Sequence, residues 1–334
     1  MSPQTPRDGL ILGVETSCDD TAAALVDAEG RVIASVVASQ TEIHAEFGGV
    51  YPELASRAHV ATIVPTIDKT LTSAGITGQD LRAIAVTRGP GLIGSLLVGL
   101  NTAAGLSIGW DVPVLGVNHL RGHLRSPELD GGEITYPALA LLVSGGHTLL
   151  ARMDASDKIT VLGTTRDDSV GEAFDKVGRM LDLGYPGGPA VDRLAATGQP
   201  TIDLPRPMIR DGLDFSFSGL KTAVAHALAK GAAPADLASS FVEACFEVLM
   251  TKCRRALSQR PYRSLIIVGG VAASIPLRAQ ASDLCEEMGA TLNLPPLKWA
   301  TDNAAMIALT GWDYLDLANP PGTLPEVRLK VSEL

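Results

Sequence analysis

His119 and His123 stand four residues apart in the segment NHLRGH. If that segment is helical, both imidazoles project from one face and can share a metal ion. The spacing fits a second reading equally well: a strand-to-helix turn in which Asn118 caps the helix and the backbone satisfies both histidines. A third ligand separates the two. Asp302 in ATDNAAMIAL is a candidate, against the plainer role of Asp302 or Thr301 as N-cap of the apolar helix that follows. Two histidines and one carboxylate with open positions suit Fe(II), with Zn(II) as the alternative.

Acids and glycines concentrate again in TTRDDSVGEAFDKVGRMLDLGYPGGPAVD, residues 164–192. Glu172 and Asp175 fit a solvated helix face. Gly187 and Gly188, after Pro186, fit a turn where backbone approaches a ligand, and Asp175 or Asp192 could accept hydrogen bonds from ribose hydroxyls. Ser144, Gly145 and Gly146 end an apolar strand and offer either a nest of N–H groups for an anionic or carbonyl oxygen or a simple hairpin turn. HAEFGGVYPELASRAH, from His44 to His59, reads as a functional loop entering a helix, although Glu46, Glu53 and Arg57 also suit a surface. FSFSGLKTA, with Ser216, Ser218 and Lys221, has the same two readings. RGPGLIGS places Gly89, Gly91 and Gly94 after a strand and before a helix, as in a dinucleotide fingerprint. The next strand, VPVLGVNH, ends without the acid that such a fold uses to hold ribose, and no G-x-x-x-x-G-K-[ST] loop is present.

The elements that must position these groups occur twice. LILGVETSCDDTAAALVDA lies over LALLVSGGHTLLARMDA, with Thr21 over Thr148 and Asp27 over Asp154, and each copy continues into a further strand, RVIASVVAS or KITVLGTT. AIAVTRGPG and LIIVGGVAA then repeat a glycine-ended strand before a helix. The repeated pattern indicates two related α/β lobes, and it resembles the duplicated two-lobed actin-like ATPase (ribonuclease-H-like) fold. The first lobe is expected over residues 8–129 plus 299–334 and the second over 130–298. Polar turns facing each other across the lobes would make a cleft for phosphate on one side and adenosine on the other.

Composition supports a globular chain, since 46% of the 334 residues are apolar and only 4% aromatic, with 34 glycines and 21 prolines. A net charge of −10 excludes a broad basic surface, so any RNA contact must be local or shared with partners. Arg121 and Arg125 are candidates for such a contact, their i, i+4 spacing placing both on one side of a helix, with solvated helix charges as the alternative. Cys18, Cys245, Cys253 and Cys285 form no C-x-x-C pair and read as reduced cytosolic thiols. Leu10 to Val14 is too short for a signal-peptide core. The uncharged stretch Gly89 to Trp110 has the length of a membrane span, but its six glycines, Pro90, Asn101 and Thr102 fit a turn followed by a buried helix. The expectation is a cytoplasmic protein with no membrane partner.

Taken together, ETSCDDTA, HAEFGGVYPELASRAH, RGPGLIGSLLVG, NHLRGH, LLVSGGHT, GEAFDKVGRML, YPGGPAVDRLA, FSFSGLKTAV, VGGVAAS and TDNAAMIA resemble, in order, the motifs of the tRNA N6-adenosine threonylcarbamoyltransferase family, once called O-sialoglycoprotein endopeptidases. The resemblance implies that His119, His123 and Asp302 bind a metal. It implies too that Leu142, Val143, Ser144, Gly145, Gly146, Asp175, Gly188, Asp192 and Ser274 contact the donor, threonylcarbamoyl-AMP. The acceptor would be N6 of the adenosine next to the anticodon in tRNAs reading codons that begin with A. The partners implied are a paralogous dimer subunit and a small P-loop ATPase of the synthase complex. Three positions depart from the family pattern: Arg121 stands where relatives usually have Glu, Ser274 where they have Asn, and Asp20 where Glu is frequent. An actin-like nucleotide switch is the alternative function. A metallopeptidase is a weaker one, because H-E-x-x-H is missing. No general base is identifiable.

Overall fold

The computed structural model describes residues 9–317 and 323–333. Residues 8, 318–322 and 334 of the expected first lobe lie outside the described residues. The chain divides into two units, Met1–Glu133 with Thr301–Leu334, and Ile134–Ala300.

In the first unit the order is β1 (Leu10–Glu15), β2 (Asp20–Val26), β3 (Val32–Ser39), α1 (Thr41–Ala45), α2 (Pro52–Ala74), β4 (Leu81–Gly89), α3 (Ile93–Trp110), β5 (Val114–Asn118) and α4 (His119–Arg125). The second unit holds β6 (Ala138–Val143), β7 (Thr148–Met153), β8 (Ile159–Thr164), α5 (Val170–Met180), α6 (Gly187–Ala195), α7 (Ser218–Ala229), α8 (Pro234–Gln259), β9 (Ser264–Val268), α9 (Ile275–Met288) and β10 (Thr291–Asn293). The chain then returns to the first unit as α10 (Ala304–Gly311).

The two sheets have one topology, β3-β2-β1-β4-β5 and β8-β7-β6-β9-β10. In each, three strands form an antiparallel meander and the first of them pairs in parallel with the fourth. Thr21 on β2 and Thr148 on β7 thus occupy equivalent strands, as their sequence echo predicts. Strands covered on both faces read as unbroken apolar runs, and every residue of β1 and β6 is buried. β3 lies at an edge and alternates between exposed and half-buried positions.

Packing sorts by side-chain parity. Leu10, Leu12 and Val14 of β1 meet Ile63 and Ile67 of α2 and Leu100 and Ala103 of α3. The opposite face receives α10, all of whose residues are buried. Its approach is so close that a Cβ on Gly13 would lie 2.0 Å from the Ala304 carbonyl oxygen. In the second unit Leu139, Leu141 and Val143 join a cluster centred on Phe174, whose ring lies 5.0 Å from Phe241 and 5.8 Å from Phe246.

α3 differs from its expected burial. Only the stripe of Ser95, Leu96, Gly99, Leu100, Ala103 and Ser107 turns inward, while Ile93, Leu97 and Ile108 are exposed. It is a helix long and apolar enough to cross a membrane, packed along one side against β4 and α2.

Candidate functional site

β5 runs straight into α4, and Asn118 at the junction accepts hydrogen bonds from the amides of Leu120 (3.0 Å) and Arg121 (3.4 Å). The cap and the paired histidines are therefore not alternatives, because the cap starts the helix that presents both rings on one face. His119 and His123 are buried, with ring centroids 4.7 Å apart and planes at 86°. Asp302 precedes α10, yet the cap of that helix is Asn303, whose side chain accepts from the Met306 amide at 2.9 Å. Neither Asp302 nor Thr301 has the capping role. The Asp302 carboxylate turns to the histidines, with Oδ1 3.0 Å from His123 Nε2 and 3.6 Å from His119 Nε2. One ligand atom from each of the three residues lies within 4.8 Å of the others.

Behind His119 stands Glu15 at the end of β1, a residue that sequence reasoning did not select. An acid closing an apolar strand was its only signal. Its buried carboxylate lies 2.9 Å from His119 Nδ1 and accepts from Thr87 Oγ1 at 2.7 Å and from the Ser17 amide. Carboxylate–imidazole pairs of this kind fix the ring tautomer of metal-bound histidines, leaving the far nitrogen for the cation. Burial by itself would depress the His119 imidazole, but Glu15 and then Asp302 outweigh it and hold it at about 9. Burial likewise raises Glu15, and His119 overcomes this and keeps the carboxyl below its usual range. Asp20 is pushed up to about 6, first by burial and then, against a Ser39 hydrogen bond, by Asp19, Asp302 and Glu15. Its buried Oδ1 has no hydrogen-bond partner among the described residues. Imidazole and carboxylate atoms that converge beside the further acids Glu15 and Asp20 fit a divalent cation.

The residues expected at the donor gather in the second unit. Ser144 to His147 form a hairpin turn, the Ser144 amide donating to the His147 carbonyl at 2.8 Å and the His147 amide to Ser144 Oγ at 3.1 Å. Space beside the Cα atoms of Gly145 and Gly146 is open, whereas a Cβ on Gly171 would lie 2.5 Å from the Ser144 carbonyl oxygen, so the turn is seated on the start of α5. Leu142 and Val143 are wholly buried within β6, so neither presents a side chain to a ligand. Asp175 Oδ1 accepts from the Gly187 amide at 2.9 Å, and Gly188 beside it faces open space. Burial raises the Asp192 carboxyl, opposed by the nearby Ser274 hydroxyl. Neither Asp192 Oδ1 nor Ser274 Oγ has a hydrogen-bond partner of good geometry among the described residues, and buried polar atoms in that condition call for a ligand or water.

Other motifs resolve structurally. A Cβ on Gly91 would lie 2.6 Å from the Ser17 carbonyl oxygen and one on Gly99 2.4 Å from Thr16 Oγ1, so the glycines of RGPGLIGSLLVG admit neighbouring chain rather than phosphate. In the His44–His59 segment, His59 bonds to Thr21 Oγ1 at 2.7 Å and to the Cys18 carbonyl at 3.0 Å, and His44 bonds to Gln40 at 3.2 Å. Ser216 and Ser218 donate to Asp167, and Lys221 pairs with Asp168.

Arg121 is buried and Arg125 half-buried, and both guanidinium groups are committed to partners within the first unit. Arg121 is 4% exposed and donates to the Val331 carbonyl and the Tyr314 hydroxyl. Arg125 pairs with Glu128 and Asp313. Two lost phosphate contacts would flatten the log–log salt dependence of tRNA binding by roughly 1.4 to 1.8. An unaltered slope is expected for Arg121→Gln with Arg125→Gln, measured as RNA affinity of the purified chain against salt concentration.

A family model for tRNA N6-adenosine threonylcarbamoyltransferase matches residues 31–309. The chain is 49% identical over 313 residues to the tRNA N6-adenosine threonylcarbamoyltransferase of Geobacillus thermodenitrificans, covering 91% of each. It is 47% identical to that of Bacillus subtilis, covering 91% of this chain and 90% of the relative. Among solved structures, HypF of T. kodakarensis superposes with a TM-score of 0.65 at 12% identity, over 94% of this chain and 49% of that one. Component A of the Acidaminococcus fermentans (R)-2-hydroxyglutaryl-CoA dehydratase superposes at 0.57 and 13%, over 92% and 99%. These structural likenesses show the fold, the duplicated actin-like α/β architecture expected from the sequence. The sequence matches show the family: the chain belongs to the tRNA N6-adenosine threonylcarbamoyltransferases, transferases that modify adenosine in tRNA.

Proposed function

We propose that the chain transfers the threonylcarbamoyl group from threonylcarbamoyl-AMP to N6 of the adenosine beside the anticodon, in tRNAs reading codons that begin with A. The observation that carries the reading is the convergence of His119, His123 and Asp302, with the Glu15 carboxylate 2.9 Å behind His119 Nδ1. His119 Nε2, His123 Nε2 and a carboxylate oxygen of Asp302 would hold the ion, Fe(II) by the donor set, with Zn(II) the alternative. When bound, a divalent cation at this site supplies Lewis-acid stabilisation of charge on the donor's oxygens.

In the transfer, the N6 nitrogen forms a bond to the carbamoyl carbon, the bond from that carbon to the phosphate oxygen breaks, AMP leaves and N6 gives up a proton. Asp175, Gly188, Asp192 and Ser274 are assigned to the adenylate, with the Ser144–Gly146 turn offering N–H groups to its acyl or phosphate oxygens. Asp192 Oδ1 and Ser274 Oγ, both unmet, suit ribose hydroxyls. An acidic chain leaves most of RNA capture to partners, a paralogous subunit and a small P-loop ATPase. A cytoplasmic location goes with a tRNA substrate.

The test is to supply purified chain and partner subunits with threonylcarbamoyl-AMP labelled in the threonyl group and unmodified tRNA. Label should enter tRNA stoichiometrically with AMP release. Release of AMP with no labelled tRNA, or peptide cleavage by the chain, would replace this reading by a nucleotide switch or a peptidase.

A further inference from the structure

Residues 323–333 lie along the first unit as a strap. The Glu326 amide donates to the Arg88 carbonyl at 2.9 Å and the Gly91 amide to the Val327 carbonyl at 3.3 Å, fastening its beginning at the end of β4. Leu329 and Val331 are buried. Further on, the side chains of α4 and its cap take hold. Asn118 Nδ2 donates to the carbonyls of Lys330 (2.7 Å) and Glu333 (3.2 Å), and Arg121 Nε donates to the carbonyl of Val331 at 2.8 Å. Arg121 Nη1 also reaches the hydroxyl of buried Tyr314 at 3.1 Å.

Arg121 stands two residues from each histidine, which on a helix of about 3.6 residues per turn places it on roughly the opposite face. α4 has seven residues, far below the length at which a helix keeps its own order in water. Its orientation must come from what grips it. On one side α10 presses so closely that a Cβ on Gly122 would lie 3.0 Å from Ile307 Cδ1 and 3.1 Å from Met306 Cγ. On another, the grip is the buried guanidinium and its two acceptors.

We propose that Arg121 is a positioning residue for the metal centre: by fastening α4 to the strap and to Tyr314, it sets the helix rotation that aims His119 and His123 at Asp302. The inference rests on the metal reading above and adds to it a residue on the far face of the helix.

The test measures Zn(II) affinity of the full chain by competition with a chromophoric chelator, together with the visible spectrum of the Co(II)-substituted protein. Arg121→Ala should weaken Zn(II) binding by about 10- to 100-fold, the range found when a group that orients a metal ligand is removed. It should also alter the Co(II) absorption bands, which a variant that had lost only stability would leave unchanged. Arg121→Lys, keeping a cationic donor for the Val331 carbonyl, should recover part of the affinity. A folded Arg121→Ala protein with wild-type Zn(II) affinity and an unchanged Co(II) spectrum overturns the inference and leaves the metal reading standing. Wild-type protein that binds no ion, or whose binding is indifferent to His119→Ala with His123→Ala, overturns both. If Arg121→Ala does not fold, Tyr314→Phe decides: lowered Zn(II) affinity supports the inference, and wild-type affinity refutes it.

Discussion

Protein carrying His119→Ala with His123→Ala is expected to emerge from purification without a bound metal ion and with its threonylcarbamoyl transfer reduced on the order of a thousandfold. The magnitude follows from the several kcal/mol that a positioned cation supplies to developing charge, at about 1.4 kcal/mol per tenfold in rate. Both imidazoles must go because either one with Asp302 still offers a two-point site, His123 Nε2 lying 3.0 Å and His119 Nε2 3.6 Å from the same carboxylate oxygen. The fold should survive. The Asn118 cap and the Arg121 contacts that seat α4 do not pass through either ring. Elemental analysis of the purified variant is the direct measurement, and full occupancy there would remove these residues from the metal site.

Why the histidines were visible in the sequence and their surroundings were not is a matter of range. An i, i+4 pair is a local pattern, and so is the duplication of strand, turn and strand that places Thr21 and Thr148 on equivalent strands. Glu15 lies over a hundred residues before its partner His119, and nothing in ETSCDD marks that acid as different from Asp19 or Asp20. From its spacing Arg121 reads either as solvated charge or as an RNA contact, because helix spacing reports which side a residue faces but not what covers that side. Here the cover is a strap whose Val331 carbonyl is 210 residues away. In TDN, three adjacent residues can each cap a helix, and the choice of Asn303 rests on backbone geometry that composition does not encode. The inward stripe of α3 was hidden for a related reason. Nearly every residue there is apolar or small, so periodicity could not separate the face that packs from the face that does not.

Replacing Asp175 tests the donor site, and here two roles of one carboxylate must be separated. Asp175→Ala is expected to weaken binding of an unreactive threonylcarbamoyl adenylate analogue by about 1 to 3 kcal/mol, the loss when a buried hydrogen bond is left unmade. Part of that loss can arise inside the protein. Asp175 Oδ1 holds the Gly187 amide at 2.9 Å, and α5 and α6 meet there through glycine, a Cβ on Gly178 lying 2.7 Å from Gly187 Cα and one on Gly187 2.7 Å from Asp175 Cα. α6 carries Gly188 and Asp192, so a helix released at Gly187 would displace both from the proposed adenylate site. Asp175→Asn distinguishes the roles, because an amide oxygen still accepts from the Gly187 amide while the negative charge is gone. Calorimetry on both variants, each shown to fold by circular dichroism, gives three distinct results. Loss in both places the carboxylate against the donor itself. Loss in Asp175→Ala alone makes Asp175 the residue that holds α6 in register for Gly188 and Asp192. Wild-type affinity in both would exclude it from the site, and the unmet Asp192 and Ser274 would then have to carry ribose recognition without it.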